Sequence, residues 1–409
     1  MRILLLSQYF WPENFRINDV ARGLRERGHQ VCVITGMPNY PGGRLFKGYG
    51  SSGPYGEFFE GIEVRRAPLV PRGNSTPLRL MLNYISLVIS LSLLAPWIAR
   101  GRFDVLLVYE PSPITIGIPA RIIKWLKRLP IVFWVQDLWP QSLSATGAIH
   151  APRLLASVDR MVRWIYRGCD RVLVQSRAFI APIVAQGVAP QSIVYLPNSA
   201  EAYYRRIEPR VDDAATLELR PGFRIVFAGN IGAAQDFPTI VAAAELLRQH
   251  LNIQWIVIGE GRMQAWVEAE IRKLGLESTF QLLGSRPAQQ MPVYFAHADI
   301  LLATLRRDPI FAYTVPAKIQ SYMACGKAMI AALEGEGAKL VRDAGAGWVV
   351  PPENPQALAE TVLAASRTDK SQLEIMGSQG QKYFNEQFER SILLERLETV
   401  LLDVAGVAA

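Results

Sequence analysis

Short apolar runs alternate along this chain with longer segments in which apolar residues recur at helical spacing. Near the start, the runs Ile3–Ser7 and Val31–Thr35 flank a helical pattern over Ile17–Arg27, which Gly28 ends. A strand, a helix and a strand in so few residues predict one unit of a parallel sheet. The same pattern predicts further strands at Val105–Tyr109, the start of Phe133–Ser142, Arg171–Gln175, Ile193–Leu196, Arg224–Ala228, Trp255–Ile258, Phe280–Leu283, Asp299–Ala303 and Ala328–Ala332.

This pattern predicts an α/β protein with two doubly wound domains. At 409 residues the chain is too long for one hydrophobic core. We place the first domain at residues 1–200 and the second at residues 201–379, with the polar segment Tyr203–Pro221 as a linker and domain edge. The segment Gln379–Val404 predicts one long amphipathic helix, and we expect the chain from about residue 380 to residue 409 to pack back on the first domain.

The most apolar stretch, Leu80–Ala99, is long enough to cross a bilayer. A crossing would separate strands of one sheet that lie on either side of it, so two interpretations remain: a core helix, or a helix in the membrane interface. The basic helix Ala120–Arg128 and flanking arginines favour the interface, because they attract anionic head groups. The flanking arginines are Arg65, Arg66, Arg72, Arg79, Arg100 and Arg102, and the expected lipid contacts are Arg79, Leu87, Leu91, Trp97, Lys124 and Trp125.

The charge is divided unevenly between the two halves. Residues 1–200 carry 23 lysines and arginines against 11 acids, whereas residues 201–409 carry 21 against 25. Only the first half is therefore expected to meet an anionic partner, either nucleic acid or lipid. No aromatic residues are interleaved with the basic patch on a known nucleic-acid module, which argues against nucleic acid.

The cysteines and the first residues exclude other classes. Cys32, Cys169 and Cys325 are scattered, and neither CxxC nor HxxxH occurs, so we expect no disulfide scaffold and no metal site. The opening MRILLLSQYF lacks a small-residue cleavage site and predicts a buried strand rather than a signal peptide.

Polar residues follow two strands of the first domain, where open parallel sheets bind ligands. Glu13, Asn14 and Arg16 are candidate substrate contacts; alternatively, the neighbouring aromatic residues pack and these side chains face water. Asp137 could orient or deprotonate an acceptor hydroxyl, or it could cap the following turn. The glycine-rich loop Gly36–Gly50 predicts a mobile flap.

Glycine turns follow two strands of the second domain. The turn of Gly229 and Gly232 offers backbone N–H groups to a phosphate, and Arg262 follows the next strand. Lys318 lies in the first turn of a predicted helix after a proline loop, where a cation beside free N–H groups suits a diphosphate. The alternative is a surface lysine. Residues Glu334–Ala338 begin another helix, whose amides could hold a donor sugar.

A set of motifs resembles the retaining glycosyltransferases of family four. The likeness covers nearly the whole chain and is greatest to bacterial surface-polysaccharide transferases of the L-fucosamine transferase (WbuB-like) type. The motifs lie at Tyr9–Pro41, Trp134–Ser142, Leu196–Glu201, Phe227–Gly232, Ile258–Arg262 and Val315–Ile330. The resemblance implies the GT-B architecture, in which two Rossmann-like domains face each other across a cleft.

The chain departs from the family pattern at several positions. Asn230 stands where the family has arginine, and Gln235 stands where it has lysine. We expect Lys318 to supply the positive charge that these two positions lack. The family's glutamate pair falls on Tyr313 and Ser321, and Glu334 or Glu336 could substitute for the missing acids. Asp137 is the nearest match to the family's cleft histidine. By resemblance we expect the catalytic residues Asp137, Lys318 and Glu13; the donor contacts Gly229, Asn230, Gly232, Gln235, Glu260, Arg262, Tyr313, Lys318, Glu334, Glu336 and Gly337; and the acceptor contacts Asn14, Arg16, Asp137 and Trp139.

The resemblance also implies substrates and location. We expect a metal-independent enzyme without a cofactor that moves an N-acetylated deoxyhexosamine such as N-acetyl-L-fucosamine. The donor would be a UDP-sugar and the acceptor a polyprenyl-diphosphate-linked sugar of O-antigen, capsule or exopolysaccharide synthesis. The expected location is cytoplasmic, peripheral on the inner face of the cell membrane. Alternatives are a GDP-sugar transferase for mannose or fucose, and a non-catalytic assembly scaffold at the membrane.

Overall fold

The computed structural model describes residues 1–50, 52–74, 76–145, 151–213 and 218–406. The chain divides into two compact units. The N-terminal unit comprises Met1–Pro197 together with Leu393–Ala409, and the C-terminal unit comprises Asn198–Ile392. Residues 407–409, at the end of the segment expected to pack back, lie outside the described residues.

The N-terminal unit is built on a sheet with the strand order β3-β4-β2-β1-β5-β6-β7-β8. Every neighbouring pair is parallel except the β3–β4 hairpin. The strands are β1 (Arg2–Ser7), β2 (Gln30–Gly36), β3 (Gly56–Phe59), β4 (Ile62–Ala67), β5 (Val105–Glu110), β6 (Ile131–Val135), β7 (Arg171–Val174) and β8 (Ile193–Tyr195). The helices before residue 198 are α1 (Arg16–Glu26), α2 (Pro77–Ile98), α3 (Gly117–Lys127), α4 (Gln141–Ala145), α5 (Pro152–Tyr166) and α6 (Ile180–Ala185).

The C-terminal unit is built on a fully parallel sheet with the strand order β11-β10-β9-β12-β13-β14. Its strands are β9 (Phe223–Ala228), β10 (Ile253–Ile258), β11 (Phe280–Leu282), β12 (Ile300–Thr304), β13 (Met329–Ala332) and β14 (Gly347–Val350). Its helices are α7 (Phe237–Leu246), α8 (Gln264–Leu274), α9 (Met291–Ala296), α10 (Pro309–Tyr313), α11 (Ala317–Ala324), α12 (Glu336–Asp343), α13 (Pro355–Ser366) and α14 (Lys370–Gln387).

Numbered within the C-terminal unit, its sheet has the order 3-2-1-4-5-6 of the doubly wound nucleotide-binding fold, and the strands β4-β2-β1-β5-β6-β7 of the N-terminal unit have the same order when the antiparallel β3 is left out. The strand order reverses between β1 and β5 in the N-terminal unit and between β9 and β12 in the C-terminal unit. Ligands of such folds bind outside the carboxyl ends of the strands at this reversal. The predicted strands and their parallel pairing are confirmed. In each unit, the reversal of strand order marks the place at the carboxyl ends of the strands where a ligand is expected to bind.

The predicted single helix over Gln379–Val404 is wrong. The structure has α14 and a separate final helix, α15 (Arg390–Ala405). Phe388 is buried in the core of the C-terminal unit, and the Glu389 carboxylate accepts the N–H of Ser391 at 2.7 Å, which starts a new helix. Three leucines of α15 at four-residue spacing, Leu393, Leu397 and Leu401, enter the core of the N-terminal unit.

Candidate functional sites

The carboxyl ends of β9 and β10 form paired glycine turns. Gly229 follows β9 with a φ of 139°, Gly259 follows β10 with a φ of 150°, and the Gly229 N–H donates to Ile258 O at 2.9 Å. A Cβ on Gly259 would lie 1.9 Å from Gly229 O, so a side chain there would push the two turns apart. Ile231 continues the pairing by donating to Glu260 O at 2.9 Å. The turns therefore act as one rigid backbone surface.

Lys318 directs its ammonium group into this surface. Lys318 lies in the first turn of α11, the helix that follows β12. It therefore meets Gly229, which follows β9, at the point where the strand order reverses. Its Nζ is buried without a hydrogen-bond partner, 3.5 Å from where a Cβ of Gly229 would be and 3.6 Å from the centroid of the Phe227 ring. Burial lowers the pKa of Lys318 to about 7. The charged form of Lys318 therefore has an aromatic ring beside it but no anion to balance its charge.

Two amide side chains cover the same turn. A Cβ on Gly232 would lie 2.4 Å from Asn230 Nδ2 and 2.8 Å from Gln235 Oε1, so a larger residue there would displace these amide groups. Gln235 Oε1 is buried without a partner, as Lys318 Nζ is. The two positions that differ from the family pattern therefore do lie at the glycine turn, with neutral groups in place of cations.

The loops after β12 and β13 meet beside the start of α11. A Cβ on Gly335 would lie 1.9 Å from Ala312 O, and a Cβ on Gly337 would lie 3.0 Å from the Pro316 ring. These approaches bring Glu334 and Glu336 close to α10, which ends at Tyr313. The structure thus groups the residues at 313, 318 and 334–337 at one edge of the sheet.

Three further positions were singled out in the sequence: the nominated donor contacts Glu260 and Arg262, and Ser321, which falls on a family glutamate position. Glu260 is exposed and accepts the Ser285 N–H at 3.4 Å, on the β11 side of the edge. Arg262 is exposed at the β10 turn. Ser321, where the family has glutamate, is buried and donates its hydroxyl to Ala317 O at 3.2 Å within α11. Ser321 therefore faces its own helix.

In the N-terminal unit, Glu13 is buried, contrary to the alternative that it faces water. It is 1% exposed, and its Oε1 accepts the N–H groups of Asn39 at 2.8 Å and Tyr40 at 2.7 Å. Its Oε2 has no hydrogen-bond partner. Burial raises the pKa of Glu13 to about 7, with the backbone amides and Arg66 opposing. Asn14 beside it is exposed, and Arg16 begins α1.

A cluster of aromatic rings adjoins Glu13 through Tyr40, whose backbone N–H Glu13 accepts. The sequence did not reveal this cluster. The rings of Tyr9 and Phe15 stack at 4.8 Å, and Tyr40 lies 5.3 Å from Phe15. The Arg72 guanidinium lies 5.0 Å from the Tyr40 centroid and donates to the Tyr9 hydroxyl at 3.1 Å. Stacked rings beside a cation and a carboxyl suit a sugar linked to phosphate.

Asp137, the second nominated carboxyl group of the N-terminal unit, lies two residues beyond β6. Its Oδ1 accepts the hydroxyl of Ser142 in α4, so the carboxylate does hold the following turn. Burial raises the pKa of Asp137, with the hydroxyls of Ser142 and Ser112 opposing. Trp139, nominated as an acceptor contact, is only 7% exposed and is packed in the unit.

Glu110, at the end of β5, is a carboxyl group that the sequence pattern did not single out, because it only closes an apolar run. It is fully buried, and neither carboxyl oxygen has a hydrogen-bond partner. Burial, followed by the nearby Asp137 charge, raises its pKa well above the ordinary value. An acid directly after a buried strand is the signal that could have identified it.

Helix α2 has one buried face and one exposed apolar face. Among the described residues it is the one helix long and apolar enough to cross a membrane by length and composition. It connects β4 to β5 of one sheet, as the argument against a crossing requires. The exposed residues recur every three or four positions and are called the α2 stripe: Leu78, Met81, Leu82, Ile85, Ile89, Leu93 and Trp97.

Three of the nominated lipid contacts are corrected. Leu87 is 1% exposed and Leu91 is fully buried, because they lie on the opposite face of α2 from the stripe. Lys124 forms an ion pair with Asp170 at 2.5 Å, which joins α3 to β7. Trp97 and Trp125 are 68% and 79% exposed, and Arg79 is exposed.

Comparison with known proteins identifies the class. Residues 14–199 match the model of the glycosyl transferase 4-like domain, and residues 222–367 match that of the glycosyl transferases group 1. A probable glycosyltransferase of Pseudomonas aeruginosa, WbjE, is 26% identical over 73% of this chain and 74% of its own. WcaI of Escherichia coli K12, named for colanic acid biosynthesis, is 25% identical over 80% and 82%.

A solved structure with the same fold is Anabaena HepE in complex with UDP, with a TM-score of 0.69 and 17% identity over 98% of this chain and 100% of that one. The fold is therefore that of the GT-B glycosyltransferases, as expected. Since the two family models together span most of the sequence, this chain belongs to the family-four glycosyltransferases. Its relatives act in polysaccharide biosynthesis.

Proposed function

We propose that this glycosyltransferase transfers a sugar, with retention, from a UDP-sugar to a polyprenyl-diphosphate-linked acceptor. The observation that carries the proposal is the unpartnered ammonium group of Lys318 at the β9–β12 reversal. A diphosphate bound over the paired glycine turns would supply the missing anion and would meet backbone N–H groups. We assign the donor to the C-terminal unit for this reason.

The reaction we propose breaks the bond between the anomeric carbon and the β-phosphate oxygen. The acceptor oxygen bonds to the same face of that carbon, and its proton passes to the β-phosphate. Lys318 stabilises the negative charge that develops on the leaving diphosphate, with Arg262 and the glycine-turn amides assisting. Because these groups supply the compensating charge, we propose that the reaction needs no metal.

The proposed donor is supported by one comparison and by the sequence motifs. HepE, which has the same fold, is found in complex with UDP, and the motifs of this chain resemble those of L-fucosamine transferases. We therefore propose a UDP-linked N-acetylated deoxyhexosamine such as N-acetyl-L-fucosamine. A GDP-sugar remains the second candidate, because Lys318 would contact the diphosphate and not the base.

The acceptor is proposed to bind the N-terminal unit. Glu13 and Asp137 both follow strands of its sheet, and Glu13 accepts the backbone N–H of Tyr40, whose ring clusters with those of Tyr9 and Phe15. Glu13, whose pKa is raised to about 7, would hydrogen-bond the acceptor hydroxyl, and the proton of that hydroxyl passes to the β-phosphate. Asp137 would orient the hydroxyl.

The α2 stripe is proposed to lie in the membrane interface. Its apolar side chains are unpartnered over the length of the helix, and Trp97 lies at one end, where indole rings favour the boundary between lipid and water. Arg79 lies in the first turn of the helix, Arg100 and Arg102 follow its end, and all three suit anionic head groups. This arrangement would hold the enzyme on the cytoplasmic face of the cell membrane.

A thermal-shift panel of UDP, GDP, dTDP and ADP tests the donor proposal. UDP is expected to raise the melting temperature most, and the shift is expected to persist in EDTA. A shift with GDP alone would transfer the proposal to GDP-sugars. No shift with any nucleotide, together with no transfer or donor hydrolysis, would favour the non-catalytic scaffold.

A further inference from the structure

A basic pocket lies beside the start of α2 and adjoins Glu13 through Asn39, which donates its backbone N–H to Glu13 Oε1 and accepts the N–H of Gly43 at its carbonyl oxygen. It has a volume of about 570 Å³ and is lined by Gly43, Arg44, Leu45, Pro71, Asn74 and Arg79, with Gly73 between them. The loop after β2 supplies one wall, and the loop after β4 with the first turn of α2 supplies the other. Its lining contains no acidic residue.

A close backbone crossing brings the two arginines of this pocket together. The Gly73 N–H donates to Gly43 O at 2.7 Å, and a Cβ on Gly43 would lie 1.7 Å from Gly73 O. Both glycines have positive φ, so a side chain at either would strain the crossing, and a Cβ on Gly43 would also clash. The aliphatic part of Arg79 packs over Gly73 at 3.7 Å from where its Cβ would be. The crossing thus holds the backbones of Arg44 and Arg79 at one pocket, with both side chains exposed.

The two guanidinium groups lack anions. Elsewhere in this unit, Arg22, Arg65 and Arg66 form ion pairs with glutamates. Among the described residues, neither Arg44 nor Arg79 has a hydrogen bond, an ion pair or a ring contact. Two like charges in one pocket repel each other. An anion bound between them would attract both, so the net electrostatic energy of the pocket would become favourable.

The pocket is continuous with the apolar surface of α2. Leu78, the first residue of the α2 stripe, is adjacent in sequence to Arg79 and is 61% exposed. The stripe then runs along a helix of 22 residues, which is roughly 33 Å at 1.5 Å per residue. A ligand that joins an anionic group to a long hydrocarbon chain would satisfy both surfaces.

We infer that the Arg44–Arg79 pocket binds the diphosphate of a polyprenyl-diphosphate-linked acceptor, whose hydrocarbon chain lies along the α2 stripe. The inference rests on the proposed function and gives the acceptor's lipid phosphate a site of its own. Two forked guanidinium groups match the several oxygens of a diphosphate. A diffuse attraction to anionic head groups requires only surface charge, and not two guanidinium groups that line one pocket.

Vesicle binding by the full-length protein tests the inference. Phosphatidylcholine vesicles carry either a few mole per cent of polyprenyl diphosphate or enough phosphatidylglycerol to give the same surface charge. The variant R44A/R79A is compared with R2A/R25A, which removes two exposed arginines of the same unit, one on β1 and one on α1. The wild type and R2A/R25A are expected to bind the diphosphate vesicles at least about tenfold more tightly than the phosphatidylglycerol vesicles, and R44A/R79A is expected to lose this preference.

Two results would overturn the inference: equal binding of the wild type to both vesicles, or a preference that R44A/R79A retains. The UDP-induced thermal shift of R44A/R79A is measured in parallel and is expected to equal that of the wild type, because the pocket lies in the other unit from Lys318. Failure of the proposed function would appear as a wild type without nucleotide binding or transfer. Failure of this inference would leave both intact.

Discussion

At the scale of single residues, Lys318 gives the most direct test. Replacing it with methionine keeps an apolar side chain of similar length and removes a buried charge. The pKa of Lys318 is lowered in the folded protein. Between about pH 7 and the ordinary lysine pKa, the unfolded chain therefore binds more protons than the folded protein, so the free energy of unfolding rises with pH over this range. At pH 7.5, K318M is therefore expected to unfold with about 1–2 kcal/mol more free energy and to lose UDP binding.

Denaturant titration and nucleotide thermal shifts measure the two effects. K339M, which changes an exposed lysine of α12 in the same unit, is the matched control and is expected to change neither quantity. A K318M protein that is less stable and still binds UDP would show that Lys318 is a packing residue.

Proton uptake gives a second test of Lys318. With a pKa of about 7, this lysine is largely neutral at pH 8 in the free protein. A bound diphosphate would favour its charged form, so binding is expected to take up close to one proton. Calorimetry of UDP binding at pH 8 in buffers of different ionisation enthalpy measures this number. A heat that does not depend on the buffer would contradict the assignment.

Glu110 predicts a pH dependence of stability in the N-terminal unit. Its folded pKa is raised, so its contribution is greatest below its ordinary pKa and is lost as pH rises towards the folded value. Glutamine mimics the protonated carboxyl group. E110Q is therefore expected to gain stability over the wild type between pH 5 and pH 8, by up to about 1.4 kcal/mol per pH unit. Unfolding curves at several pH values test this, and parallel pH profiles would contradict it.

Residue roles were only partly predictable from the sequence. Lys318 could be found because a proline loop and a helix start mark the carboxyl edge of a sheet. Arg44 and Arg72 could not, because their importance depends on which loops meet, and no spacing in the sequence states that Gly43 crosses Gly73. Glu110 shows a third case, since its burial depends on helices distant in sequence.

At the scale of elements, α2 gives a test of membrane contact. Replacing Leu93 and Trp97 with serine removes two side chains that are 69% and 68% exposed, so little folding energy is at stake. The variant L93S/W97S is expected to sediment less with anionic vesicles while its melting temperature stays within a few degrees. L87S is the contrasting variant, because a buried leucine is lost, and it is expected to destabilise by about 3 kcal/mol. Unchanged sedimentation of L93S/W97S would contradict interfacial binding.

Strands and helices were predicted where apolar runs are strong, and they failed where the pattern is ambiguous. The orientation of α2 was wrong because almost every position is apolar and the periodicity selects no face. Its polar Asn83 is in fact fully buried, where it accepts a hydrogen bond from Gln8 at 3.2 Å. The β3–β4 hairpin and β14 were missed because they are short and carry mixed residues.

At the scale of the whole molecule, the division into units predicts an asymmetric response to truncation. The C-terminal unit is one continuous segment with its own cores, whereas the N-terminal unit needs Leu393, Leu397 and Leu401 of α15. Ending the chain after Ile392 is expected to destabilise the N-terminal unit and to leave UDP binding by the C-terminal unit intact. Limited proteolysis and nucleotide thermal shifts of the truncated chain measure both. Cooperative loss of both units would contradict this independence.

The fold class was predictable because parallel strands produce apolar runs that the sequence displays directly. The division of the final segment into two helices was not predictable, because it depends on a helix break at Phe388 and Glu389 that local propensity does not require. The units were anticipated near residue 200, where polar residues replace the apolar runs.

The placement of α15 also sets an order of events during synthesis. A ribosome makes the chain from its first residue, and domains generally fold as units while the chain emerges. The sheet of the N-terminal unit emerges first, yet its three leucine partners follow all of the C-terminal unit in sequence. The C-terminal unit, which carries Lys318, can therefore fold while the unit that carries the α2 stripe still lacks its last helix. The nascent chain would complete the surroundings of Lys318 before those of the α2 stripe.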